Sequence, residues 1–139
     1  MRLSLLKRKK ILMNKEAVTT LNAPQAIGPY SQAIKSGNLL FCSGQIALDP
    51  SSGQVVGKTV QEQTDRVMKN LLGILESQGL GFSHVVKTTI FLKSMNDFPV
   101  VNETYQKFLS APFPARATIE VSRLPKDVLV EIDAIATFH

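Results

Sequence analysis

The sequence has few of the residues that metal and thiol sites need, with one cysteine and two histidines among 139 residues. A single cysteine excludes a disulfide within the chain and any CxxC site. Cys42 lies in the apolar run LLFCSG, which indicates a buried and unreactive thiol. His84 and His139 stand alone in the sequence, so a zinc or iron site is not expected. We therefore predict a protein without a bound metal.

The sequence also lacks a long hydrophobic run. No stretch approaches the ~18 apolar residues that a membrane-spanning helix needs. The composition, 44% hydrophobic and 19% charged, is typical of a chain that folds around a packed core, and its length suits one domain. We predict no contact with a membrane and a cytoplasmic location.

Acidic residues are missing from the start of the chain, where residues 1–12 carry five of the sixteen lysines and arginines. The rest is balanced, with eleven basic and eleven acidic residues, which argues against a nucleic-acid partner. A targeting segment or a tail for anionic partners would fit residues 1–12, but charged termini are usually solvated. We predict a basic, disordered extension over 1–13 and a single domain over 14–139. Organellar targeting is the less favoured alternative.

Two helices are predicted from hydrophobic periodicity. The clearer one covers 59–78, because Thr59 and Glu62 form a T-x-x-E capping box and a stripe of apolar residues follows at helical spacing. The second runs from about Asn96, which would be its cap, to Leu109.

The remaining elements are strands, giving the order β-β-β-α-β-α-β-β. Two strands flank a turn at 37–38, and others are predicted over 85–93, 116–123 and 128–138, after a short first strand near 16–21. Helices that follow strands without strict alternation predict an α+β fold with both helices on one face of the sheet.

The last predicted strand, 128–138, has an unbroken apolar face and a mixed face that carries Glu131. The apolar face belongs under the helices. The mixed face is too apolar for water and too polar for a monomer core, which indicates a subunit interface and hence a homo-oligomer. An ordinary solvated face is the alternative.

The stretch FPARATIEV alternates in the same way. Its apolar residues, at every second position from Ala117 to Val121, are predicted to face the helices. Arg116 and Thr118 would then share the mixed face with Glu131. An arginine in that place needs a partner from another strand, another subunit or a ligand.

Five motifs follow one another along the chain: NAPQAIGPYSQAI, FCSGQIALDPSSG, VVKTTIFL, VNETY and FPARATIEVSRLPKDVLVEIDAIA. Together they resemble the RidA (YjgF) family, over Glu16 to about Phe138. The resemblance implies a chorismate-mutase-like α+β fold, a mixed six-stranded sheet with two helices packed on one face. It also implies a homotrimer that encloses a central barrel, with a cleft at each subunit interface.

The same resemblance implies an enzyme. The deaminase branch of the family hydrolyses reactive 2-imino and 2-enamino acids, such as 2-iminopropanoate and 2-iminobutanoate, to 2-oxo acids and ammonia. These imines are by-products of PLP enzymes and damage other PLP enzymes. The hydrolysis needs no metal or organic cofactor, because an iminium is already electrophilic.

Two residues receive catalytic roles from the resemblance. Arg116 would hold the substrate carboxylate, and its planar fork of donors suits that group better than a lysine. Glu131 would position the water that attacks the imine carbon. Thr118 would bind substrate through its backbone, since this position holds cysteine in some members of the family.

Three further residues match substrate-contacting positions of the family: Tyr30 in GPYSQ, Ser43 in CSGQ and Asn102 in VNETY. The first two have a structural alternative. Tyr30 could anchor its loop through its ring, and Ser43 could simply end a strand.

Other functions stay open at this point. Arg116 and Glu131 could be structural ion-pair partners. The cleft could bind small carboxylates in a non-catalytic or regulatory trimer, because a carboxylate clamp is not itself a catalyst. Some members of the family have been described as endoribonucleases or translation inhibitors, which would place any RNA contact on the basic segment.

Overall fold

The computed structural model of the protein describes residues 14–139. The predicted basic extension over 1–13 lies outside the described residues. No helix within 14–139 combines the length and the apolar character needed to cross a bilayer.

Six strands and two α-helices make up the described part of the chain. The strands are β1 (Glu16–Val18), β2 (Ala33–Ser36), β3 (Leu39–Gln45), β4 (Val85–Leu92), β5 (Ala115–Glu120) and β6 (Val130–Thr137). The helices are α1 (Val60–Ser77) and α2 (Phe98–Gln106). The predicted order and the α+β class are confirmed.

The strands form one mixed sheet in the order β1-β2-β3-β6-β4-β5. All neighbours run antiparallel except β4 and β5, which are parallel and are joined through α2. Strand β6 lies in the middle of the sheet, and its residues alternate between buried and half-buried from Val130 to Thr137. That alternation confirms the predicted apolar face under the helices.

Helix α1 forms as predicted. The Thr59 hydroxyl accepts a hydrogen bond from the Glu62 N–H at 3.1 Å, and the Glu62 carboxylate accepts from the Thr59 N–H at 3.3 Å, which closes the capping box. The predicted stripe is buried at every position: Val60, Thr64, Val67, Leu71, Ile74 and Leu75. This face packs on the middle of the sheet and contributes Val60, Val67, Leu71, Ile74 and Leu75 to the core.

Helix α2 is shorter than predicted. A 3₁₀ turn at Met95–Asp97 precedes it, and the side chain that caps this turn is Ser94. The prediction of Asn96 as the cap was wrong, because the Ser94 hydroxyl accepts a hydrogen bond from the Asn96 N–H, which lies inside the turn. At the other end the chain continues in i→i−3 bonds as far as Leu109, so the helical pattern outlasts the α-helix.

Cys42 is buried in β3, as predicted. Burial, and to a lesser extent the negative charge of Asp133, raise the pKa of its thiol to about 12. The thiolate is therefore almost absent at neutral pH, which leaves this cysteine chemically inert.

Strand β4 departs from the predicted alternation at its start. The register with β6 shifts between Val85 and Lys87. Strict alternation along VVKTTIFL predicts Val86 on the same apolar face as Ile90 and Leu92, but the bulge buries Val85 and leaves Val86 45% exposed. From Thr88 onward the predicted alternation holds.

The face of β5 was predicted the wrong way round. Arg116 is the register partner of Thr88 and Thr118 that of Ile90, and both β4 residues are buried under the helices. Arg116 and Thr118 therefore lie on the helix side of the sheet. Ile119 lies on the open side and is 45% exposed. The alternation of β5 was misread for two reasons. Strand β5 is an edge strand at the margin of the helix layer, and the open face of the sheet is itself apolar.

Candidate functional site

Arg116 reaches from the edge strand to helix α2. Its Nη1 donates to the Asn102 side-chain oxygen at 2.6 Å. The guanidinium carbon lies 5.3 Å from the ring centre of Phe98 and 5.4 Å from that of Tyr105, within the range of cation–π attraction. Strand and helix thus meet at a cation held by an amide and two aromatic rings.

A cleft of about 380 Å³ opens beside this arginine. It lies between α2, the chain that follows it and the start of β5. Its lining consists of Asn102, Tyr105, Gln106, Leu109, Phe113, Pro114 and Arg116. Two predicted residues, Arg116 and Asn102, are therefore brought together in one concave site that can receive a small anion.

Thr118 lies two residues further along β5 on the same face. Its hydroxyl oxygen is buried and has no hydrogen-bond partner within residues 14–139. Because β5 is at the edge of the sheet, part of its backbone has no neighbouring strand within the chain. The proposed use of the Thr118 backbone for substrate stays a prediction.

Glu131 lies on the other face of the sheet. It is the register partner of Phe91 and lies against Gly44, where a methyl group would overlap the Glu131 carboxylate. Partial burial, with a smaller contribution from the negative charge of Asp133, raises the pKa of Glu131 above its ordinary value. A carboxyl group in such a place exchanges a proton more readily near neutral pH than an exposed glutamate.

Ser43 and Tyr30 belong to a third group, at the junction of β3 and the loop that precedes β2. The Ser43 hydroxyl donates to the Ser31 carbonyl at 2.5 Å, so it ties the strand to that loop. The Tyr30 ring is 54% exposed, and its hydroxyl accepts a long hydrogen bond of 3.4 Å from the Ile27 N–H. Neither contact tests the predicted contact with substrate.

The two predicted catalytic residues, Arg116 and Glu131, lie far apart within one chain. Strand β4 separates β5 from β6, and Arg116 is level with Thr88 whereas Glu131 is level with Phe91. At ~4.8 Å per strand and ~3.3 Å per residue, their Cα atoms are roughly 14 Å apart. Their side chains also leave opposite faces, so one chain does not bring them to one small substrate.

Residues that the sequence patterns did not single out complete the site. Gln32 is buried, and its amide binds Thr20, Ala23 and Pro24, which holds the loop that leads to Tyr30. Phe98 and Tyr105 lie on one face of α2 and hold the Arg116 guanidinium, a role that the sequence did not assign to them. The spacing of Phe98, Asn102 and Tyr105 was the available signal.

Metal ligation finds no support among residues 14–139, where no group of three histidine, cysteine or acidic side chains has a suitable arrangement. The chemistry available in the described part of the chain is that of a guanidinium, amides and a half-buried carboxyl group. Groups of these kinds can bind and orient an anion and can transfer a proton.

The fold and the cleft define an α+β protein with one mixed sheet, two helices on one face and an arginine-lined cleft at the sheet edge. The family model described as endoribonuclease L-PSP matches residues 20–138. The chain therefore belongs to this family, which is the RidA (YjgF) family that the sequence motifs resemble.

Two relatives show how close the similarity is. A RutC family protein of Pyrococcus horikoshii is 52% identical over 122 residues, which cover 88% of this chain and 97% of the relative. A mouse protein named 2-iminobutanoate/2-iminopropanoate deaminase is 48% identical over 122 residues, which cover 88% of this chain and 90% of the relative.

Solved structures agree with the fold. A putative endoribonuclease of Thermotoga maritima aligns with a TM-score of 0.85 at 48% identity, over 88% of this chain and 96% of that one. E. coli TdcF, solved with bound serine, aligns with a TM-score of 0.83 at 39% identity, over 88% and 98% of the two chains.

Proposed function

We propose that this protein hydrolyses 2-imino and 2-enamino acids, with 2-iminopropanoate and 2-iminobutanoate as substrates, to 2-oxo acids and ammonia. The observation that carries the proposal is the orientation of Arg116 in the cleft. Among residues 14–139 its side chain donates to Asn102 alone, and a carboxylate can accept two of the other N–H groups of the planar fork. The mouse relative's name supports the same substrate class.

The active unit that fits this geometry is a homotrimer with sites between subunits. A second copy can bring its own Glu131 to the Arg116 of the first, which a single chain does not do. The open face of the sheet supports assembly, since it exposes large apolar side chains on four strands: Leu39, Phe41, Val86, Ile119 and, half-buried, Ile135. Apolar surface of this extent favours a partner over water.

The hydrolysis adds water across the C=N bond. Arg116 fixes the carboxylate so that the imine carbon faces the water held by Glu131. Starting from the iminium, the water oxygen bonds to that carbon as Glu131 accepts a proton, which gives a carbinolamine, and Glu131 then delivers this proton to the amino nitrogen. Glu131 next removes the proton of the new hydroxyl group, the C=O bond forms as the C–N bond breaks, and ammonia leaves the 2-oxo acid. Release of the proton from Glu131 to water completes the cycle. A glutamate with a raised pKa suits both steps, because it must hold and then release a proton.

The experiment is a deaminase assay on freshly generated 2-iminopropanoate, with ammonia release compared with spontaneous hydrolysis. Arg116→Ala is expected to reduce the rate to the spontaneous level, and Arg116→Lys to retain only part of it, because lysine keeps the charge without the fork. Circular dichroism and the solution mass of each variant show whether fold and assembly persist. Full activity in a folded Arg116→Ala protein would refute the proposal.

Two other activities have a specific observation in their favour. The serine bound to TdcF is itself a small carboxylate, which fits a binding or regulatory trimer without turnover. The family description names an endoribonuclease, which fits an RNA substrate. Binding of serine without imine hydrolysis would favour the first, and cleavage of RNA that is lost on deletion of residues 1–12 would favour the second. The cytoplasmic location stays a prediction.

A further inference from the structure

Three side chains on one face of helix α2 contact Arg116. Phe98, Asn102 and Tyr105 are four and then three residues apart, the spacing that places side chains on one side of a helix. All three contact the Arg116 guanidinium, two through their rings and one through its amide oxygen. The rings limit where the guanidinium can lie, and the amide limits how its plane can turn.

Tyr105 is fixed in turn by a buried hydrogen bond. Its hydroxyl lies 2.7 Å from the Thr88 hydroxyl, and both residues are at most 5% exposed. Thr88 is the register partner of Arg116 in the parallel pair β4–β5. The contacts therefore run from Thr88, which is beside Arg116 in the sheet, to Tyr105 on the helix and from there back to the Arg116 guanidinium.

We propose that the Thr88–Tyr105 hydrogen bond positions Arg116 for carboxylate binding, so that both are positioning residues of the site. This inference rests on the proposed function, since it assigns Arg116 a carboxylate ligand. A bidentate grip depends on the plane of the guanidinium as well as on its charge. A tyrosine held at both its hydroxyl and its ring face keeps that plane aimed at the cleft.

The test removes the same hydrogen bond from either end. Thr88→Val and Tyr105→Phe are each expected to raise the KM for 2-iminopropanoate about three- to tenfold, the range of one neutral hydrogen bond. The kcat should change less, because carboxylate binding acts equally on substrate and transition state. Tyr105→Leu, which also removes the ring, should raise KM further.

The double variant Thr88→Val/Tyr105→Phe makes the test sharper. Each single change leaves one buried hydroxyl without its partner, whereas the double change removes both hydroxyls. The factor by which the double variant raises KM is therefore expected to be smaller than the product of the factors for the two single variants. Independent effects that multiply would show that the two hydroxyls do not act as one unit.

Thr64→Val is the matched control. Thr64 is fully buried in α1, and its hydroxyl donates to the Val60 carbonyl at 2.7 Å, away from the cleft. It should lower thermal stability and leave KM unchanged. If Thr88→Val and Tyr105→Phe behave like this control, the hydrogen bond is merely structural and the inference is overturned.

Serine binding separates this inference from the proposed function. The Kd for serine, measured by calorimetry, should rise in the two variants by a factor similar to KM, even if the wild-type protein releases no ammonia. In that case the deaminase assignment fails and the positioning role stands. A wild-type protein that binds no serine and hydrolyses no imine would overturn both.

Discussion

Arg116 and Glu131 lie on opposite faces of one sheet, with β4 between their strands. Arg116 faces helix α2, where Asn102 binds it, and Glu131 faces the open side beside Gly44. If both residues serve one substrate, each site must combine the arginine of one chain with the glutamate of another. The proposed reaction therefore requires that the chains assemble with their sites between subunits.

A complementation experiment follows from it. As pure proteins, Arg116→Ala is expected to be inactive and Glu131→Gln to keep only a low activity. Trimers assembled at random from equal amounts of the two chains should together recover about a quarter of the wild-type activity, because an intact arginine then meets an intact glutamate at one interface in four on average. The rate is measured after co-expression, with each variant alone as the control. If mixing restores nothing while mixed trimers are seen by native mass spectrometry, the two residues do not act across subunits.

The sequence alone predicted an element correctly where its local pattern is compatible with one structure only. Helix α1 carries a capping box and an apolar stripe, and both are present in the structure. Strand β6 lies in the middle of the sheet with helices on one side, so its alternation identified its buried face correctly.

The faces of β5 could not be predicted in that way. Alternation tells which residues share a side, but not which side the helices cover. At this edge strand the apolar side, with Ile119, lies on the open face, and the polar side, with Arg116, lies under α2. The contact between Arg116 and Asn102, and the separation of Arg116 from Glu131, depend on strand order and register, which no local pattern contains.

The raised pKa of Glu131 predicts a pH dependence of activity. As a base, Glu131 must be ionised, so kcat/KM should fall as the pH decreases through a midpoint above 4.5, the ordinary value for glutamate. Glu131→Gln should have low activity and no such acid limb. A wild-type profile that stays flat down to pH 4.5 would exclude Glu131 as the base.

The same shift predicts how stability depends on pH. A glutamate whose pKa is higher in the folded than in the unfolded state binds its proton more tightly when folded. The ionised form therefore destabilises the fold at neutral pH, and this effect disappears as the pH falls through the folded pKa and below the unfolded value. Glu131→Gln should unfold at a higher denaturant concentration than wild type at pH 7 and at about the same concentration near pH 4. A lower midpoint at pH 7 would show that the carboxylate has a stabilising partner in the assembled protein.

Gly44 offers a way to displace the Glu131 carboxylate without changing Glu131 itself. A methyl group at position 44 would overlap the end of the glutamate side chain, which is flexible and can move aside. Gly44→Ala is therefore expected to lower kcat at least tenfold while costing only about 1 kcal/mol of stability, at the lower end of overpacking effects.

Gly73→Ala provides the contrast, because its methyl group would meet the backbone carbonyl of Asn22, which cannot move without shifting the chain. That variant should lose stability and keep its kcat as long as it is folded. Gly81→Ala, where the added methyl group would meet no atom within 4 Å beyond the two adjoining residues, should match wild type in both. If Gly44→Ala loses stability as Gly73→Ala does and keeps its kcat, the position of the Glu131 carboxylate does not limit the reaction.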